Sequence, residues 1–492
     1  MNRAVQHGQT GTPVDKTVIL AVIALASFLS ALMGSSINVA LPSIGRDFAV
    51  DAITLSWIAT AYLLAVAIVL VPVGKLADIY GRQRLFLYGT VGWGLVSLLC
   101  GLATSAPILI GLRALQGMAG AMVGATSVAI VTSAYPPGER GRALGITVSA
   151  TYSGLAMGPF IGGIMTQQLG WRSIFLLNAA VGAVMVAVII SKMKLERTGA
   201  QGQRLDLAGS VIFGLTLLAI MYGFTVLPAP LGVGLILAGV LGMAVFVWWE
   251  DRVPNPVLDI DLFRHNVVFA MSNLAALINY AASFAIGFLL SLYLQYVRGL
   301  DPQTAGLVLL TQPAVMALFS PLAGRLSDRI EPRLVASAGM AVVMAGLIAL
   351  SFLTDASGLL FIIVALVVVG FGFALFSSPN THAVMGSVQK QHLGVASATL
   401  SLMRSVGMAL SMGVATVLIS IYVGDVQITP ANHAAFTDAF RLAFIIFPIM
   451  CLIGVFASLA RGKLHTGDRT GGSQGLNQQA KDVSCYPKGS GS

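Results

Sequence analysis

Charge is what this sequence has least of. Asp, Glu, Lys and Arg together make up 10% of its 492 residues, against about 25% in a soluble domain. Hydrophobic residues make up 57%, and the mean hydropathy is +0.87. So few charged side chains cannot cover the surface of a globular protein, which excludes a soluble domain as the main body of the chain. Most of the surface must therefore contact lipid.

Cysteine is also scarce, and its placement excludes two kinds of site. Cys100 and Cys451 lie in apolar runs and Cys485 lies in a polar tail, so neither a disulfide framework nor a metal site is indicated. The nucleotide-binding pattern G-x-x-x-x-G-K-[ST] does not occur in the sequence, and no zinc-protease or other catalytic motif is found. We expect no enzyme and no cofactor, and an energy source other than ATP.

The middle of the apolar runs, where a proton carrier would use an acidic residue, contains none. None of the 19 Asp and Glu lies in the middle of an apolar run, although a proton-coupled carrier usually needs a buried group that takes up and releases a proton. His382 is the only histidine inside such a run, and histidine titrates near neutral pH. His382 is either a proton carrier or a hydrogen-bonded residue near the membrane surface. Asp78 and Asp206, at predicted helix ends, are the other candidates.

Long apolar runs are what the sequence has in abundance. A membrane-spanning helix needs ~20 mostly apolar residues, and the first such run is too long for a signal-peptide core, so we interpret it as a retained helix. About fourteen runs qualify, at 17–41, 54–76, 85–104, 107–133, 142–167, 172–191, 207–227, 231–249, 267–296, 303–323, 333–353, 358–384, 394–421 and 439–460.

A short repeat divides the chain into two halves. GKLADIYGRQR (74–84) follows the second run and GRLSDRIEPR (324–333) follows the tenth, as expected for a duplicated transporter body. The sequence predicts two six-helix bundles with a helix pair inserted between them. The predicted parts are a cytoplasmic tail (1–16), a first bundle (17–191), a linker with the inserted pair (192–264), a second bundle (265–461) and a disordered tail (462–492).

The basic residues predict an orientation. Fourteen spans place both termini on one side, and most of the 28 Lys and Arg fall on that side. By the positive-inside rule that side is the cytoplasm, so we expect a protein of the inner (plasma) membrane with both termini cytoplasmic. The net charge of +9 is then a topology signal rather than a nucleic-acid footprint. The exceptions are Arg46, Arg172, Arg298 and Arg441 outside, and Arg113 and Arg404 within spans.

Several motifs occur in a fixed order along residues 17–460. They are INVALPSI (37–44), GKLADIYGRQR, RALQGMAGA (113–121), GLAMGPFIGG (154–163), WRSIFLLN (171–178), LYLQYVRGLDPQTAG (292–306) and SPNTHAVMG (378–386). With these motifs the chain resembles the major facilitator superfamily, and within it is similar to the fourteen-helix branch of drug:proton antiporters. The resemblance implies an all-α integral membrane protein with the major facilitator fold, whose two bundles rock about a central site.

Two motifs hold candidate gating residues. Asp78 can interact with Arg82 or with a neighbouring helix N-terminus, so the loop either holds the two halves together until they rock or is a plain solvated loop. Pro159 bends the fifth helix, and glycines such as Gly158 leave one face flat for a close helix contact. The resemblance implies that this bend limits leak during transport, whereas packing alone is the alternative.

Arg113 and Arg404 are charged groups inside predicted spans. Each costs at least ~2.5–3.5 kcal/mol at mid-helix, so each needs a partner or a wet cavity. For Arg113 the resemblance implies a functional role in positioning charge and relaying proton-linked changes. For Arg404 the alternative is a structural arginine satisfied by backbone carbonyls or by reaching the membrane surface.

Polar and aromatic groups at mid-depth predict a central pocket. Such groups beside methionines form an adaptable apolar site, although any one of them could instead hold two helices together by a hydrogen bond. The strongest candidates are Asn279 and Tyr280. The full set is Asn38, Tyr62, Gln116, Tyr152, Asn273, Asn279 and Tyr280.

Met33 departs from the pattern of the branch that the chain resembles. Many members of that branch carry Asp five residues before the Asn of NVALP, where this chain has Met33 before Asn38. The departure argues against proton coupling through the first helix and against a strong preference for cations. From the sequence, Met33→Asp is expected to add cation recognition or proton coupling.

The leading hypothesis is a secondary active exporter of amphipathic or lipophilic compounds, a multidrug-type proton antiporter driven by the proton gradient. The alternative is an exporter of a neutral or anionic metabolite or lipid, because the spans contain arginine but no acid. A non-transporting membrane receptor would need signalling domains or long tails, which the sequence lacks. We expect a monomer that interacts with small amphipathic molecules, protons and lipid, and not with nucleic acid.

Overall fold

The computed structural model describes residues 16–136, 139–193, 206–254, 256, 258, 260–354, 357–388 and 393–462. Over these ranges the chain is helical and contains no strand. Fourteen helices are long and apolar enough to cross a membrane, which confirms the predicted number of spans. The predicted disordered tails lie outside the described residues, apart from Lys16 and Gly462.

The helices follow one another with short connections. The first six are α1 (Lys16–Phe48), α2 (Ala52–Tyr80), α3 (Arg82–Gly101), α4 (Ala106–Ala134), α5 (Arg140–Gln168) and α6 (Arg172–Lys192). The inserted pair is α7 (Leu207–Val226) and α8 (Pro230–Glu250). The rest are α9 (Ile260–His265), α10 (Val267–Ser283), α11 (Ala285–Leu292), a π-helical turn (Tyr293–Val297), α12 (Pro302–Arg329), α13 (Pro332–Ser351), α14 (Leu359–Gly386), α15 (Leu393–Tyr422), a 3₁₀ turn (Pro430–Asn432) and α16 (His433–Ala460).

Packing divides these helices as the sequence predicts. In the first bundle α1 packs on α5, α2 packs on α4, and α3 packs on α4 and α6. In the second bundle α14 packs on α12 and α13, and α16 packs on α10 and α13. The bundles meet along α5 with α12 and along α2 with α15, and α7 of the inserted pair lies against α2 and α15. This confirms two six-helix bundles with an inserted hairpin.

The chain termini distinguish the two ends of the helix bundles. We call the end at which α1 begins and α16 ends the terminal end, and the end at which α1 is followed by α2 the opposite end. The repeated motif turns the chain at the terminal end in both halves, between α2 and α3 and between α12 and α13. In the first copy the turn is Gly81, whose φ of 100° favours glycine, and its N–H donates to Ala77 O at 3.0 Å.

The first helix continues beyond its predicted end at residue 41. Pro42 lies inside α1, which runs on to Phe48. Proline lacks only its own N–H, so a long membrane helix tolerates it where neighbouring helices supply other hydrogen bonds. Here Gln295 Nε2 donates to Val39 O at 2.9 Å, and Tyr296 OH donates to Pro42 O at 3.1 Å.

The predicted single helix over 267–296 is interrupted. Phe284 separates α10 from α11, and the N–H of Ala285 donates to Ser411 Oγ at 2.9 Å. The span then ends in the π-helical turn, which carries both Gln295 and Tyr296. Such turns are rare and cluster at functional sites. The apolar pattern alone contains no sign of either irregularity, because every residue remains compatible with a helix.

Small residues allow α5 to lie directly against α1. A Cβ atom on Gly158 would lie 1.8 Å from Ser35 Oγ and 2.8 Å from Leu32 O. The carbonyl of Gly158 accepts a hydrogen bond from Ser36 Oγ at 2.8 Å. On its other side α5 meets the second bundle, where a Cβ atom on Gly306 would lie 2.1 Å from Pro159 O. α5 therefore packs against α1 on one side and against α12 on the other, and neither contact leaves room for a larger side chain.

We expect Gly158→Ala to destabilise the protein, because the added methyl group has no space between α5 and α1. Overpacking of this kind typically costs ~1–3 kcal/mol. Gly145→Ala is the matched control in the same helix, since a Cβ atom there meets nothing within 4 Å. Thermal unfolding of the purified protein compares the two variants. Equal melting temperatures would contradict the tight α1–α5 contact.

Candidate functional site

Arg113 is satisfied inside the first bundle. Its side chain is 1% exposed, and Nε donates to Ile58 O on α2 at 3.1 Å. Nη1 donates to Gln116 Oε1, and the guanidinium carbon lies 4.5 Å from the centroid of the Tyr62 ring. These neutral partners explain how an arginine is accommodated here with no carboxylate beside it among the partners that the structure describes.

Gln116 and Tyr62 belong to the same arrangement. Gln116 is fully buried, and its Nε2 donates to Ser97 Oγ on α3 at 2.7 Å. Gln116 thus joins α3 to α4 inside one bundle, a geometry that favours an interhelical hydrogen bond over a contact with substrate. Tyr62 is half-buried and stacks on Arg113. The assignment of both residues to a pocket stays a prediction.

Asn38 lies where the two bundles meet. Its Nδ2 would be 3.2 Å from a Cβ atom on Gly287, which belongs to α11 in the second bundle. Its Oδ1 is buried without a hydrogen-bond partner in the described part of the chain. Asn38 therefore offers a neutral acceptor at the interface between the halves.

Asn273 and Asn279 are both fully buried on α10. Asn273 Nδ2 donates to Phe269 O at 2.9 Å, but its Oδ1 has no partner among the described residues. Neither amide atom of Asn279 has one. A buried polar group without a hydrogen-bond partner costs about 1–3 kcal/mol of folding stability. A water molecule or a ligand that hydrogen-bonded to the amide of Asn279 would remove this cost.

A polar and aromatic cluster spans the gap between the bundles. Tyr152 OH lies 3.0 Å from Ser377 Oγ, which joins α5 to α14. The guanidinium carbon of Arg404 lies 5.7 Å from the centroid of the Tyr280 ring, and Arg404 Nη2 donates to Thr381 Oγ1 at 2.7 Å. We call Tyr152, Tyr280, Ser377, Thr381 and Arg404 the Arg404 cluster. It brings together three residues that the sequence analysis had chosen separately: Tyr152, Tyr280 and Arg404.

Three residues of the Arg404 cluster start from positions well inside their spans. At a rise of ~1.5 Å per residue, Tyr152, Tyr280 and Arg404 lie ~17–20 Å from the terminal ends of their helices, within spans that must cross ~30 Å of hydrocarbon. Arg404, Tyr152, Tyr280 and Thr381 are each only partly buried. These side chains keep part of their surface accessible where Tyr152 of the first bundle meets Ser377 of the second.

Hydrogen bonds between the bundles gather at the opposite end. The bonds from Gln295 and Tyr296 to α1 lie there, and Thr416 Oγ1 donates to Ser56 Oγ at 2.8 Å between α15 and α2. The N–H of Gln303 also donates to Gln167 Oε1 at 3.2 Å. These hydrogen bonds therefore join the two bundles on the side of the Arg404 cluster that leads to the opposite end.

The contacts of the Arg404 cluster within the described residues include no acidic side chain. The acidic residues that the structure describes lie at or near helix ends, for example Asp51, Asp206, Glu250 and Asp301. No salt bridge to Arg404 occurs within the described ranges, where the ion pairs involve Arg172, Arg264, Arg333 and Arg441.

Met33 faces the interior of the first bundle. Its side chain is 2% exposed, and its sulfur accepts a hydrogen bond from Asn178 Nδ2 on α6 at 3.1 Å. Asn178 also donates to Ile174 O at 2.7 Å. A carboxylate introduced at position 33 would thus be placed against α6 rather than in the space between the bundles, which changes the expectation drawn from the sequence.

The remaining coupling candidates lie toward the terminal end. His382 on α14 is exposed, and its Nδ1 lies 3.5 Å from Ser327 Oγ on α12. Arg82 is exposed at the start of α3. The side chain of Asp78 lies outside the described residues, so the predicted contact of Asp78 with Arg82 stays a prediction.

Asp206 lies at the base of the inserted hairpin. It is 9% exposed and accepts hydrogen bonds from Gly209 N at 2.9 Å and Trp249 Nε1 at 3.0 Å. Nearby, Glu250 is 3% exposed and accepts from Leu258 N at 2.7 Å. The two hydrogen bonds to Asp206 join the start of α7 to the end of α8. Asp206 therefore stabilises the base of the hairpin.

Arg461 is a buried arginine that sequence reasoning missed. It was counted among the cytoplasmic charges, yet it is 2% exposed. Its Nη1 donates to Ser272 Oγ at 3.2 Å and to Asn380 Oδ1 at 3.0 Å, joining α16 to α10 and α14. Burial lowers the pKa of Arg461 to about 10, so it stays charged at neutral pH. Its place just after an apolar run resembles any basic end residue, and no sequence signal marks its burial.

Comparison with known proteins places the chain among transporters. The sequence profile of the Major Facilitator Superfamily matches residues 23–261 and 273–482. Multidrug resistance protein Stp of Mycobacterium tuberculosis (strain CDC 1551 / Oshkosh) is 34% identical over 82% of this chain and 76% of Stp. Riboflavin transporter RibZ of Clostridioides difficile (strain 630) is 29% identical over 90% of this chain and 97% of RibZ.

A solved structure shows the same fold. The crystal structure of a bacterial homolog of the human lysosomal transporter Spinster superposes with a TM-score of 0.69, at 16% identity, over 92% of this chain and 97% of that chain. At this identity the likeness concerns the arrangement of the helices and not the ligand.

We expect Asn279→Leu to raise the melting temperature of the substrate-free protein and to weaken substrate binding. The substitution replaces a buried amide that lacks partners by an apolar side chain with the same number of heavy atoms and the same branching, which is nearly neutral or stabilising for folding. Asn178→Leu is the control, because Asn178 Nδ2 makes two hydrogen bonds that the substitution breaks. Thermal unfolding with and without a transported compound measures both effects. A lower melting temperature for Asn279→Leu would show that its amide has partners after all.

We expect Met33→Asp to lower the melting temperature relative to Met33→Leu, and not to add cation recognition. The reason is that the new carboxylate would be buried against α6 with few donors to satisfy it. Thermal unfolding and efflux of a cationic dye in cells measure the two effects. A gain of pH-dependent dye efflux would instead place position 33 on the transport pathway.

Proposed function

The chain belongs to the major facilitator superfamily, and on that premise we propose that it exports amphipathic or lipophilic small molecules by alternating access. The observation that carries the proposal is the Arg404 cluster, which combines residues of both bundles at mid-depth. A molecule bound there contacts both halves, so rocking of the halves changes the side from which it is accessible. The multidrug resistance protein Stp, 34% identical, supports efflux as the direction.

The orientation follows from the basic residues. Both termini are cytoplasmic and the protein resides in the plasma membrane, because most Lys and Arg lie toward the terminal end. The opposite end then faces outward. Hydrogen bonds between the bundles at that end hold the exit closed in this conformation, and the Arg404 cluster would be reached from the cytoplasm or the inner leaflet.

The energy source is the proton gradient, and His382 takes up and releases the proton. Histidine is the side chain whose ordinary titration range lies nearest to physiological pH. His382 is exposed and lies near the terminal end, so water can exchange protons with it, and it directly follows Thr381 of the Arg404 cluster. A change of charge at His382, one residue from the Thr381 hydroxyl that binds Arg404, would act on the α12–α14 contact through Ser327. We keep a monomer as the working unit, with protons, lipid and a small molecule as its partners.

A neutral or anionic cargo is the second candidate. It is favoured by the absence of a salt-bridged carboxylate at Arg404 within the described ranges. The relative RibZ, a riboflavin transporter, supports a cargo outside the cationic drugs.

Proteoliposomes with a clamped pH test the coupling. Adding a transported compound is expected to release protons from vesicles of the parent protein. His382→Gln is expected to abolish this release while leaving substrate counterflow, which needs no proton, intact. His265→Gln is the control, because His265 is exposed on α9 and its Nδ1 contacts only Asp261 O in the described part.

Two outcomes would contradict these proposals separately. Proton release that persists in His382→Gln would exclude His382 as the carrier. Counterflow without proton movement for every transported compound would exclude antiport altogether, while leaving transport itself in place.

A further inference from the structure

We propose that the Arg404 cluster is a binding site for flat aromatic molecules that carry an anionic oxygen, such as a carboxylate or a sulfonate. The inference rests on the proposed function, since it assigns the substrate class of that same site. It depends on three properties of the cluster: a positive charge with no acidic partner among the described residues, one unused hydrogen-bond donor, and aromatic faces.

Arg404 forms no ion pair with an acidic side chain among the residues that the structure describes. Its partners in the described ranges are the hydroxyl of Thr381 and the ring of Tyr280, both neutral. The acidic side chains that the structure describes lie at or near helix ends. A charge in a membrane interior is paired, or faces a cavity or a ligand, and here the protein supplies no pairing carboxylate for Arg404 within the described residues.

One N–H donor of the Arg404 guanidinium also lacks a hydrogen-bond partner in the described part of the chain. Nη2 donates to Thr381 Oγ1, whereas Nε is buried and has no partner in the described part of the chain. Arg113 provides the contrast within the same protein, because its Nε donates to Ile58 O. The planar fork of an arginine matches the two oxygens of a carboxylate or a sulfonate. An anion would satisfy the donor that the helices leave unused.

Aromatic rings beside the fork select the rest of the molecule. Tyr280 packs edge to face on Phe373, with ring centroids 5.1 Å apart. Tyr152 approaches the same site from the first bundle and lies 3.0 Å from Ser377 Oγ. Hydroxyl groups beside ring faces suit a flat aromatic ligand with polar substituents. An anionic aromatic ligand would thus contact both bundles at once.

The first test uses two dyes that share one ring system. Fluorescein is an anion and rhodamine 123 a cation, and equilibrium binding of each to the full-length purified protein is followed by fluorescence anisotropy with no gradient present. We expect the parent protein to bind fluorescein at least about 10-fold more tightly than rhodamine 123. Arg404→Gln should weaken fluorescein binding by about 10-fold or more, with less than about a 2-fold change for rhodamine 123.

Two variants sharpen the result. Arg404→Lys keeps the charge but loses the planar fork, so its affinity for fluorescein should fall between those of the parent protein and Arg404→Gln. Arg252→Gln removes one positive charge from an exposed site beside Trp248 and should change neither affinity. Equal weakening of both dyes by Arg404→Gln, or no weakening of fluorescein, would overturn the assignment.

A second measurement needs no variant and holds even if Arg404→Gln fails to fold. Thermal unfolding of the parent protein is compared with 2-naphthoate and with 2-naphthylmethylammonium, which differ mainly in the sign of their charge. Stabilisation by naphthoate alone supports an anion site, and stabilisation by the cation alone or by neither overturns it. The proposed transport function is tested independently by counterflow, so failure of one does not imply failure of the other.

Discussion

The tight packing of α5 against α1 and α12 underlies the arrangement of the two bundles. Gly158 places the backbone of α5 against Ser35 and Leu32 of α1, while the carbonyl of Pro159 lies against Gly306 of α12. In lipid, helices associate through packing and hydrogen bonds rather than through the hydrophobic effect, so such contacts set how near the two bundles come. Tyr152 lies about two turns from this contact, and its distance from Ser377 follows from it.

A second constraint is the cost of charge in the membrane interior. The described acidic side chains lie at or near helix ends, where they cap helices or fasten connections, as Asp206 does at the base of the hairpin. Arg113 and Arg404 lie deep within spans, and their surroundings differ. Arg113 is enclosed by a carbonyl, an amide and a ring, whereas Arg404 keeps a buried donor without a partner in the described part. This difference separates a structural arginine from one suited to a ligand.

The sequence predicts several residues of the site but not how these residues are arranged in space. Tyr152, Tyr280 and Arg404 were chosen as single residues, and the fold brings them together across the bundle interface. Gln116 was chosen on the same grounds, yet it lies inside the first bundle against Ser97. Depth along a helix follows from counting residues, but the direction of a side chain depends on how the helix is rotated against its neighbours, which a nearly uniform apolar pattern does not specify.

The sequence alone predicts the membrane-embedded class of the protein, its fourteen spans, their division into two halves with an inserted hairpin, and the placement of charge toward helix ends. These features follow from composition and local length, because lipid excludes charge and a span needs a minimum run of apolar residues. Four further features are visible only in the folded protein: α1 continues through Pro42, Met33 faces α6, Arg461 is buried, and Arg404 lies against Tyr280 and Thr381. Each of these depends on contacts between residues far apart in the chain, where packing and hydrogen bonds fix helix rotation and the spacing of apolar residues does not.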